Sequence, residues 1–224
     1  MDEALKFTVD HYFESEVLEK LLSDQHHRKI SMEESLRIDR SFRHAAHCFI
    51  CAPLNKLVLG KYPSHASVLM QLRFDGLLGF PGGIIEREED IVCGLNRELQ
   101  EEINLDLGRF MVREADHLIS HVNHRHKFVF HFYSLPVTFE EFRAIEKQNL
   151  EATDYGNETL GILRVPLYTM KDGYHGLAAF LNQQFVGNAK DQLLYGLAKL
   201  KILTPEELSE AIHKSQALKL TKAY

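Results

Sequence analysis

The chain has 224 residues, of which 45% are hydrophobic and 26% are charged, and its formal net charge is −6 at pH 7. This length and hydrophobic content argue for a globular chain with a sizeable core. The negative charge argues against a chain-wide basic surface that wraps long nucleic acid. Three cysteines without a paired framework favour a reducing compartment. Neither a signal peptide nor a run of about 18 apolar residues is present, so we expect a soluble intracellular protein without membrane contacts.

The first forty residues are predicted to form a helical extension and a linker. Apolar residues recur at every fourth position from Leu5 to Leu21, which is the spacing of an amphipathic helix. This helix could pack on the body of the domain or bind a partner. The polar segment from Ser23 to Arg40 is predicted to be a linker with a short helix. The predicted boundary divides the chain into residues 1–40 and a single domain over residues 41–224.

From Arg43 onward, short apolar runs alternate with turn residues, a pattern that predicts β-strands. The Asp75-Gly76 pair is a strong turn signal after the third of these runs. The predicted strands are 44–52 and 56–60, joined by a turn at 53–55, and then 67–74, 111–122, 127–137 and 158–167.

Helical periodicity and capping residues predict the helices. Thr138 and Glu141 have the spacing of a capping box, and Thr204 precedes a proline and two glutamates. The predicted helices are 90–103, 138–148, 176–185, 188–200 and one that begins after 204. Strands, one helix, more strands and then several helices indicate an α+β domain with a mixed sheet covered by helices on its faces.

The helix predicted at 90–103 is crowded with acidic residues. Glu98, Glu101 and Glu102 have the spacing i, i+3, i+4, which places three carboxylates on one helical face. Like charges at this spacing repel by about 0.2–0.5 kcal/mol per pair. A hard divalent cation, Mg²⁺ or Mn²⁺, would offset this repulsion. The sequence therefore predicts a metal site on this helix.

The same stretch carries a resemblance to a known family. Gly83, Glu89 and the run RELQEEINL from Arg97 match the Nudix box of pyrophosphate-cleaving hydrolases, except that Asn104 replaces a glycine. Runs such as RHAAH, MQLRFDG and DYGNETLG make residues 43–203 similar to the snoRNA-decapping subfamily of Nudix hydrolases. The resemblance implies the Nudix fold, a mixed sheet sandwiched between helices in αβα order.

The resemblance also implies roles for individual residues. The implied catalytic residues are Glu98, Glu101, Glu102, Arg97 and Glu89, the last two as an ion pair. The implied metal ligands are Gly82, Glu98, Glu101, Glu102 and Glu158, holding one to three Mg²⁺ or Mn²⁺ ions. The implied substrate-binding residues are His47, Arg73, Phe80, Val186 and Gln192. Ile84 stands where the subfamily usually has phenylalanine, which implies weaker stacking on the base.

Several histidines lie between His117 and His131, but no carboxylate or cysteine completes a set at zinc-ligand spacing. Residues 121–126 are predicted to form a polar hairpin loop, with His121 near the phosphates of a substrate. The histidines therefore do not predict a zinc site.

The resemblance implies a metal-dependent hydrolase of nucleoside diphosphate linkages. Its implied substrates are inosine or deoxyinosine diphosphate, the 5′ caps of snoRNA or mRNA, or both. It further implies a homodimer in the nucleus, in nucleolus and nucleoplasm, and in the cytoplasm. Two alternatives stay open: a non-catalytic relative that binds RNA and protein and has lost the box glutamates, and an ADP-ribose or dinucleotide pyrophosphatase. The box glutamates favour an enzyme but do not select its substrate.

Overall fold

The structure is a computed structural model that describes residues 26–221. The helix predicted between Leu5 and Leu21 lies outside the described residues. None of the helices within the described range is long and apolar enough to cross a membrane.

The chain between residues 26 and 221 forms eight β-strands and six α-helices. The strands are β1 (Arg28–Ile30), β2 (Arg43–Val58), β3 (Tyr62–Arg73), β4 (Leu78–Gly79), β5 (Gly82–Ile84), β6 (His117–Asn123), β7 (Phe128–Pro136) and β8 (Thr159–Arg164). The helices are α1 (Met32–Leu36), α2 (Ile91–Ile103), α3 (Phe139–Gln148), α4 (Leu177–Phe180), α5 (Ala189–Lys199) and α6 (Pro205–Thr221).

The strands form one mixed sheet in the order β1-β6-β7-β2-β3-β4, with β5 beside β2 and β8 beside β3. Strands β2 and β7 are parallel, whereas the other pairs are antiparallel. Strand β2 therefore contacts β3, β5 and β7. This central position brings the short glycine-rich strand β5 into the middle of the sheet.

Helices cover both faces of this sheet. Because side chains alternate along a strand, Cys48 and Ile50 of β2 belong to one buried cluster, whereas Phe49 and Cys51 belong to the other. The first cluster includes side chains of α2 and α3, and the second includes side chains of α4, α5 and α6. This arrangement confirms the predicted α+β, αβα fold class.

The turn predicted at residues 53–55 is wrong, because β2 continues through them to Val58. Pro53 is exposed and lacks an N–H, and the pairing register with β3 shifts between Pro53 and Lys56, so the strand accommodates the proline at a bulge. The actual hairpin turn contains Leu59 at φ 53° and Gly60 at φ 66°. Positive φ at two successive residues is what a tight hairpin turn requires.

The segment predicted as a linker with a short helix contains that helix and, before it, a strand. Strand β1 pairs with β6, from Arg28 beside Val122 to Ile30 beside Ser120, and Ile30 is buried. Helix α1 follows with Ser31 as its N-cap. Residues 28–36 therefore belong to the folded domain, although the predicted boundary assigned them to the extension.

Two other elements are shorter than predicted, because backbone groups in the remaining predicted residues form hydrogen bonds to other parts of the protein. The strand predicted from residue 111 begins at His117, since both backbone groups of Val112 bond to the Asn96 side chain, at 3.0 and 2.9 Å. The helix predicted over 176–185 ends at Phe180. Beyond it, the backbone near Gln184 hydrogen-bonds to Leu78 of β4.

Helix α2 begins and ends where its capping residues predict. The Asp90 side chain accepts hydrogen bonds from the N–H groups of Val92 and Cys93. At the other end, Asn104 has φ 52° and ψ 43°, and its N–H donates to the carbonyl of Gln100. Asparagine therefore adopts the left-handed conformation that the Nudix box usually assigns to glycine.

This conformation gives a testable prediction about stability. Alanine at position 104 should lower the free energy of unfolding by about 1 kcal/mol, because a Cβ without a local hydrogen-bonding group disfavours the left-handed region. Glycine at the same position should be at least as stable as asparagine. Urea denaturation of the two variants and the unaltered protein measures both effects. Equal stability of the alanine and glycine variants would contradict the assignment of a left-handed cap.

Candidate active site

Helix α2 presents its acidic residues beside a close contact with strand β5. Its apolar residues Leu95, Leu99 and Ile103 are fully buried against the sheet, which fixes the helix and turns Glu98 and Glu102 toward the strand. A Cβ on Gly83 would lie 2.3 Å from Oε2 of Glu98. The absence of a side chain on Gly83 therefore leaves room for the Glu98 carboxylate in this position.

Gly82 is constrained from the other side. It has φ +125°, and a Cβ there would lie 2.2 Å from the carbonyl oxygen of Ala46 and 2.8 Å from the Cα of His47. Its N–H donates a hydrogen bond of 2.7 Å to Oε2 of Glu102. The glycine pair thus lies between the carboxylates of α2 and the residue His47 of β2.

Arg97 neutralises the outer part of the acidic cluster. Its Nη2 lies 3.0 Å from Oε2 of Glu89, and its Nη1 lies 2.8 Å from Glu98 and 2.9 Å from Glu101. Hydrogen bonding to Arg97 is the largest cause of the lowered pKa of Glu89. The structure thus contains the ion pair of Arg97 with Glu89 that the resemblance implies. Arg97 also holds two of the three carboxylates on the helix.

Glu102 is the most buried member of the cluster, with 3% of its surface exposed. Its Oε2 accepts hydrogen bonds from the Gly82 N–H and from Nε2 of Gln71, the latter at 3.0 Å. Burial raises the pKa of Glu102 to about 7, and the charge of Glu98 contributes in the same direction. Burial also raises the pKa of Glu98, against the opposing effect of Arg97. Both carboxyl groups therefore favour a nearby positive charge.

The donor set fits a hard divalent cation in its chemistry. Glu98, Glu101 and Glu102 supply only oxygen ligands, and the close positive side chain, Arg97, contacts two of them. Within residues 26–221, no three histidine, cysteine, aspartate or glutamate side chains converge in a metal-binding arrangement. The carboxylates instead turn toward Arg97, Gly82 and Gln71.

Glu158 lies close to this cluster in the loop before β8. Its negative charge contributes to the raised pKa of Glu98, and its backbone carbonyl accepts a hydrogen bond from the N–H of Phe74 at 2.9 Å. Its side chain is exposed. Glu158 is therefore within electrostatic range of the carboxylates, as the resemblance implies.

Three of the implied substrate-binding residues lie next to strands β4 and β5. A Cβ on Gly79 would lie 3.1 Å from both the Arg73 and the Val186 side chains, so these two residues flank that glycine. Burial, followed by the charge of Arg73, lowers the pKa of His47 to about 4, which makes its imidazole neutral at pH 7. Asp75 pairs with Arg73 at 3.0 Å. His47, Arg73 and Val186 therefore surround β4 and β5.

Phe80 and Gln192 lie deeper in the protein. Phe80 is 2% exposed, and its ring centroid lies 4.9 Å from that of Phe132 and 5.6 Å from that of Phe49. The structure thus places Phe80 in the hydrophobic core. Gln192 is also 2% exposed, and its Nε2, like Nδ1 of His47, is buried without a hydrogen-bond partner among residues 26–221. These two nitrogens are available for hydrogen bonds to a ligand.

The prediction that His121 lies in a polar hairpin loop is wrong. His121 is part of β6 and pairs with Phe130, because the strand continues to Asn123 and the turn follows it. Its Nδ1 lies 3.3 Å from the side-chain nitrogen of Asn188, just before α5. Burial lowers the pKa of His121 to about 4.

Sequence reasoning missed the role of Gln71. This residue stands in the apolar run SVLMQLRF, where its amide was the available signal. A single polar residue in a buried strand requires a hydrogen-bond partner. The partner, Glu102, is 31 positions away and could be identified only from the fold.

The raised pKa of Glu102 gives a prediction for the metal-free protein. Between the ordinary value of 4.5 and about 7, the folded state binds more protons at Glu102 than the unfolded state, so rising pH lowers the free energy of unfolding. The Glu102→Gln variant lacks this pH-dependent loss of stability, because glutamine does not titrate. The variant should gain stability relative to the unaltered protein as the pH rises from 4.5 to 7, by about 3 kcal/mol at most. Denaturant unfolding at several pH values measures the difference, and a difference independent of pH would contradict the shift.

Comparisons with known proteins agree with this geometry. The family described as Nudt16-like, U8 snoRNA-decapping enzyme-like, matches residues 44–203. The chain is 43% identical over 180 residues to the U8 snoRNA-decapping enzyme of Mus musculus, a match that covers 80% of this chain and 92% of that protein. It is 45% identical over 179 residues to the Bos taurus enzyme of that name, with the same coverage.

A relative with a different name is similarly close. The Tudor-interacting repair regulator protein of Mus musculus is 42% identical over 187 residues, which cover 83% of this chain and 87% of that protein. The family match spans most of the chain and includes strand β5, helix α2 and the residues around them. The chain therefore belongs to the Nudt16-like, U8 snoRNA-decapping enzyme-like family and is a Nudix hydrolase.

Proposed function

We propose that this Nudix hydrolase cleaves phosphoanhydride bonds in deaminated purine nucleotides, such as inosine or deoxyinosine diphosphate, and in the 5′ caps of snoRNA or mRNA. The observation that carries the proposal is the cluster of Glu98, Glu101 and Glu102 on α2, whose charges exceed what Arg97 neutralises. The similarity to U8 snoRNA-decapping enzymes supports the choice of capped RNA.

The proposed cofactor is Mg²⁺ or Mn²⁺, since Nudix hydrolases use divalent metal ions. We propose that Glu98, Glu101 and Glu102 would hold it, together with the carbonyl of Gly82 and with Glu158. Such an ion neutralises phosphate charge and lowers the pKa of an attacking water. The chain itself contributes the positions of these groups. Arg97 restrains two carboxylates and the loop that contains Glu89, while the glycine pair keeps the strand close to the helix.

The nucleoside part of the substrate is proposed to bind on the side of His47, Arg73 and Val186. Arg73 supplies a positive charge between the carboxylate cluster and His47, as its effects on both Glu102 and His47 indicate. In the part of the chain that the structure describes, the neutral His47 and the buried amide of Gln192 have hydrogen-bonding nitrogens without partners. These groups suit the polar edge of a purine. Phe80 supports this side from the core.

The retained glutamates favour hydrolysis over a purely binding role. Glu98, Glu101 and Glu102 are present, and the buried carboxyl group of Glu102 accepts two hydrogen bonds. A protein that only bound RNA and another protein would gain nothing from a buried carboxylate with a raised pKa, since its burial is unfavourable. The Tudor-interacting relative is similar in sequence, but its name describes a different kind of activity.

A substrate panel tests the proposal most clearly. With Mg²⁺ or Mn²⁺ present, the protein should release phosphate from inosine diphosphate or a nucleotide from capped RNA, and act less on ADP-ribose. Glutamine at Glu101 should lower kcat by roughly 100-fold or more, the order found when one group that stabilises developing charge is lost. Comparison of kcat/KM across the panel identifies the preferred substrate.

The matched control replaces Glu206, an exposed glutamate at the start of α6, by glutamine. This variant has the same change in charge and should keep full activity. Absence of product from inosine diphosphate and capped RNA would contradict the proposed function. Full activity of the Glu101→Gln variant would contradict the proposed metal site.

We also propose that the protein acts as a homodimer in the nucleus and the cytoplasm. The subfamily resemblance supports this proposal, and so does a group of apolar residues at the β3 and β8 edge. Leu72, Phe74 and Leu160 are 37%, 58% and 46% exposed there. Burial of such surface on a partner is favourable.

Light scattering on the full chain measures the oligomeric state. The expected mass is twice the 25.8 kDa of one chain, and lysine at Leu160 should shift the mass toward that of one chain. A monomer at every protein concentration would contradict the homodimer.

Fluorescence microscopy of the tagged protein would show its compartments, and exclusion from the nucleus would contradict the proposed localisation.

A further inference from the structure

Gln71 is a buried polar residue in the apolar middle of strand β3. It is 1% exposed, and its strand neighbours Leu69 and Met70 are equally buried in the two hydrophobic clusters. Its backbone pairs with Gly79 of β4 on one side and Ile162 of β8 on the other. Backbone pairing with both neighbouring strands holds this residue firmly in place.

The two ends of the Gln71 amide have different surroundings. Nε2 donates a hydrogen bond of 3.0 Å to Oε2 of Glu102, whereas Oε1 is buried and has no hydrogen-bond partner among residues 26–221. Burial of a carbonyl oxygen without a partner is unfavourable by about 1–3 kcal/mol. The favourable contact of this side chain is therefore its hydrogen bond to Glu102.

The hydrogen bond orients the most buried carboxylate of the cluster. Oε2 of Glu102 accepts two donors, the Gly82 N–H at 2.7 Å and Nε2 of Gln71. Oε1 of Glu102 accepts no hydrogen bond within residues 26–221 and is not sealed from solvent. Two donors on one oxygen fix the side-chain torsion angles and leave the second oxygen for another ligand.

Strand β3 also positions Arg73, two residues after Gln71. Leu69 and Gln71 face helix α2, and Gln71 pairs with Gly79 of β4. A Cβ on Gly79 would lie 3.1 Å from the side chains of both Arg73 and Val186, so Arg73 lies beside this pair. One strand thus supplies an amide to the carboxylates and a guanidinium to the proposed nucleoside site.

We propose that Gln71 is a positioning residue of the hydrolase, whose amide holds Glu102 so that its free oxygen faces the bound cation. The proposal rests on the proposed function and identifies a residue outside the Nudix box on which that function depends. Partners that orient metal ligands typically change metal affinity or activity by 10- to 100-fold when they are removed.

The Gln71→Leu variant tests the role, since it removes the donor and leaves a side chain of comparable size. We expect kcat to fall about 10- to 100-fold, with KM for the nucleotide unchanged. Mn²⁺ binding to the substrate-free protein, measured by electron paramagnetic resonance, should weaken about 10-fold. A cooperative thermal unfolding transition shows that the variant is folded.

Ser67 offers a matched control on the same strand. It is 2% exposed, and its hydroxyl is likewise buried and forms no hydrogen bond within the described range 26–221, to Glu102 or to any other residue. The Ser67→Ala variant should keep both kcat and Mn²⁺ affinity. If the leucine variant does not fold, Gln71→Asn serves in its place. Its amide is one methylene too short for Glu102, and the same losses are expected.

Wild-type kcat and Mn²⁺ affinity in a folded Gln71→Leu or Gln71→Asn variant would overturn the proposal. Equal losses in the Ser67→Ala control would also overturn it, because they would show a general effect of strand β3. Failure of the proposed function gives a different result, in which the unaltered protein has no hydrolase activity. Activity that is lost in Glu101→Gln but kept in Gln71→Leu would contradict only the role of Gln71.

Discussion

The buried carboxyl group of Glu102 is the constraint on which the arrangement of this site depends. It lies beneath strand β5, where a backbone N–H and an amide supply its hydrogen bonds. Such burial is unfavourable for a charged group unless a cation is close. This unfavourable burial raises the pKa of Glu102 to about 7. The nearby cation Arg97 pairs with Glu98 and Glu101 and not with Glu102. The buried carboxyl group therefore lowers the stability of the metal-free protein, and a bound cation would restore it.

The glycines of β5 connect this cluster to the rest of the protein. Gly83 admits the Glu98 carboxylate and Gly82 admits the backbone of β2, so the strand is in close contact with both α2 and β2. The carboxylates lie on α2, and Gly82 pairs with His47 of β2. A phosphoanhydride substrate needs a cationic centre for its phosphates and polar groups for its base. Strand β5 places the carboxylates and His47 next to each other.

Sequence patterns predicted the features that depend on residues close to one another in the chain. The caps Asp90 and Asn104, the three-glutamate face and its partner Arg97 follow from spacings within one helix and the loop before it. Elements that depend on distant partners were not predictable. Strand β1 forms because β6, about 90 residues later, offers an edge. The Gln71 amide has a clear role only once α2 is known to lie over β3.

The proposed function requires that the α2 carboxylates bind a divalent cation. Titration of the substrate-free protein with Mn²⁺, followed by electron paramagnetic resonance, tests this claim directly. The unaltered protein should bind Mn²⁺, and the Glu98→Gln and Glu102→Gln variants should each bind it at least about 10-fold more weakly. Glu206→Gln should bind it as the unaltered protein does. Equal Mn²⁺ binding by all four proteins, or none by the unaltered one, would contradict the account.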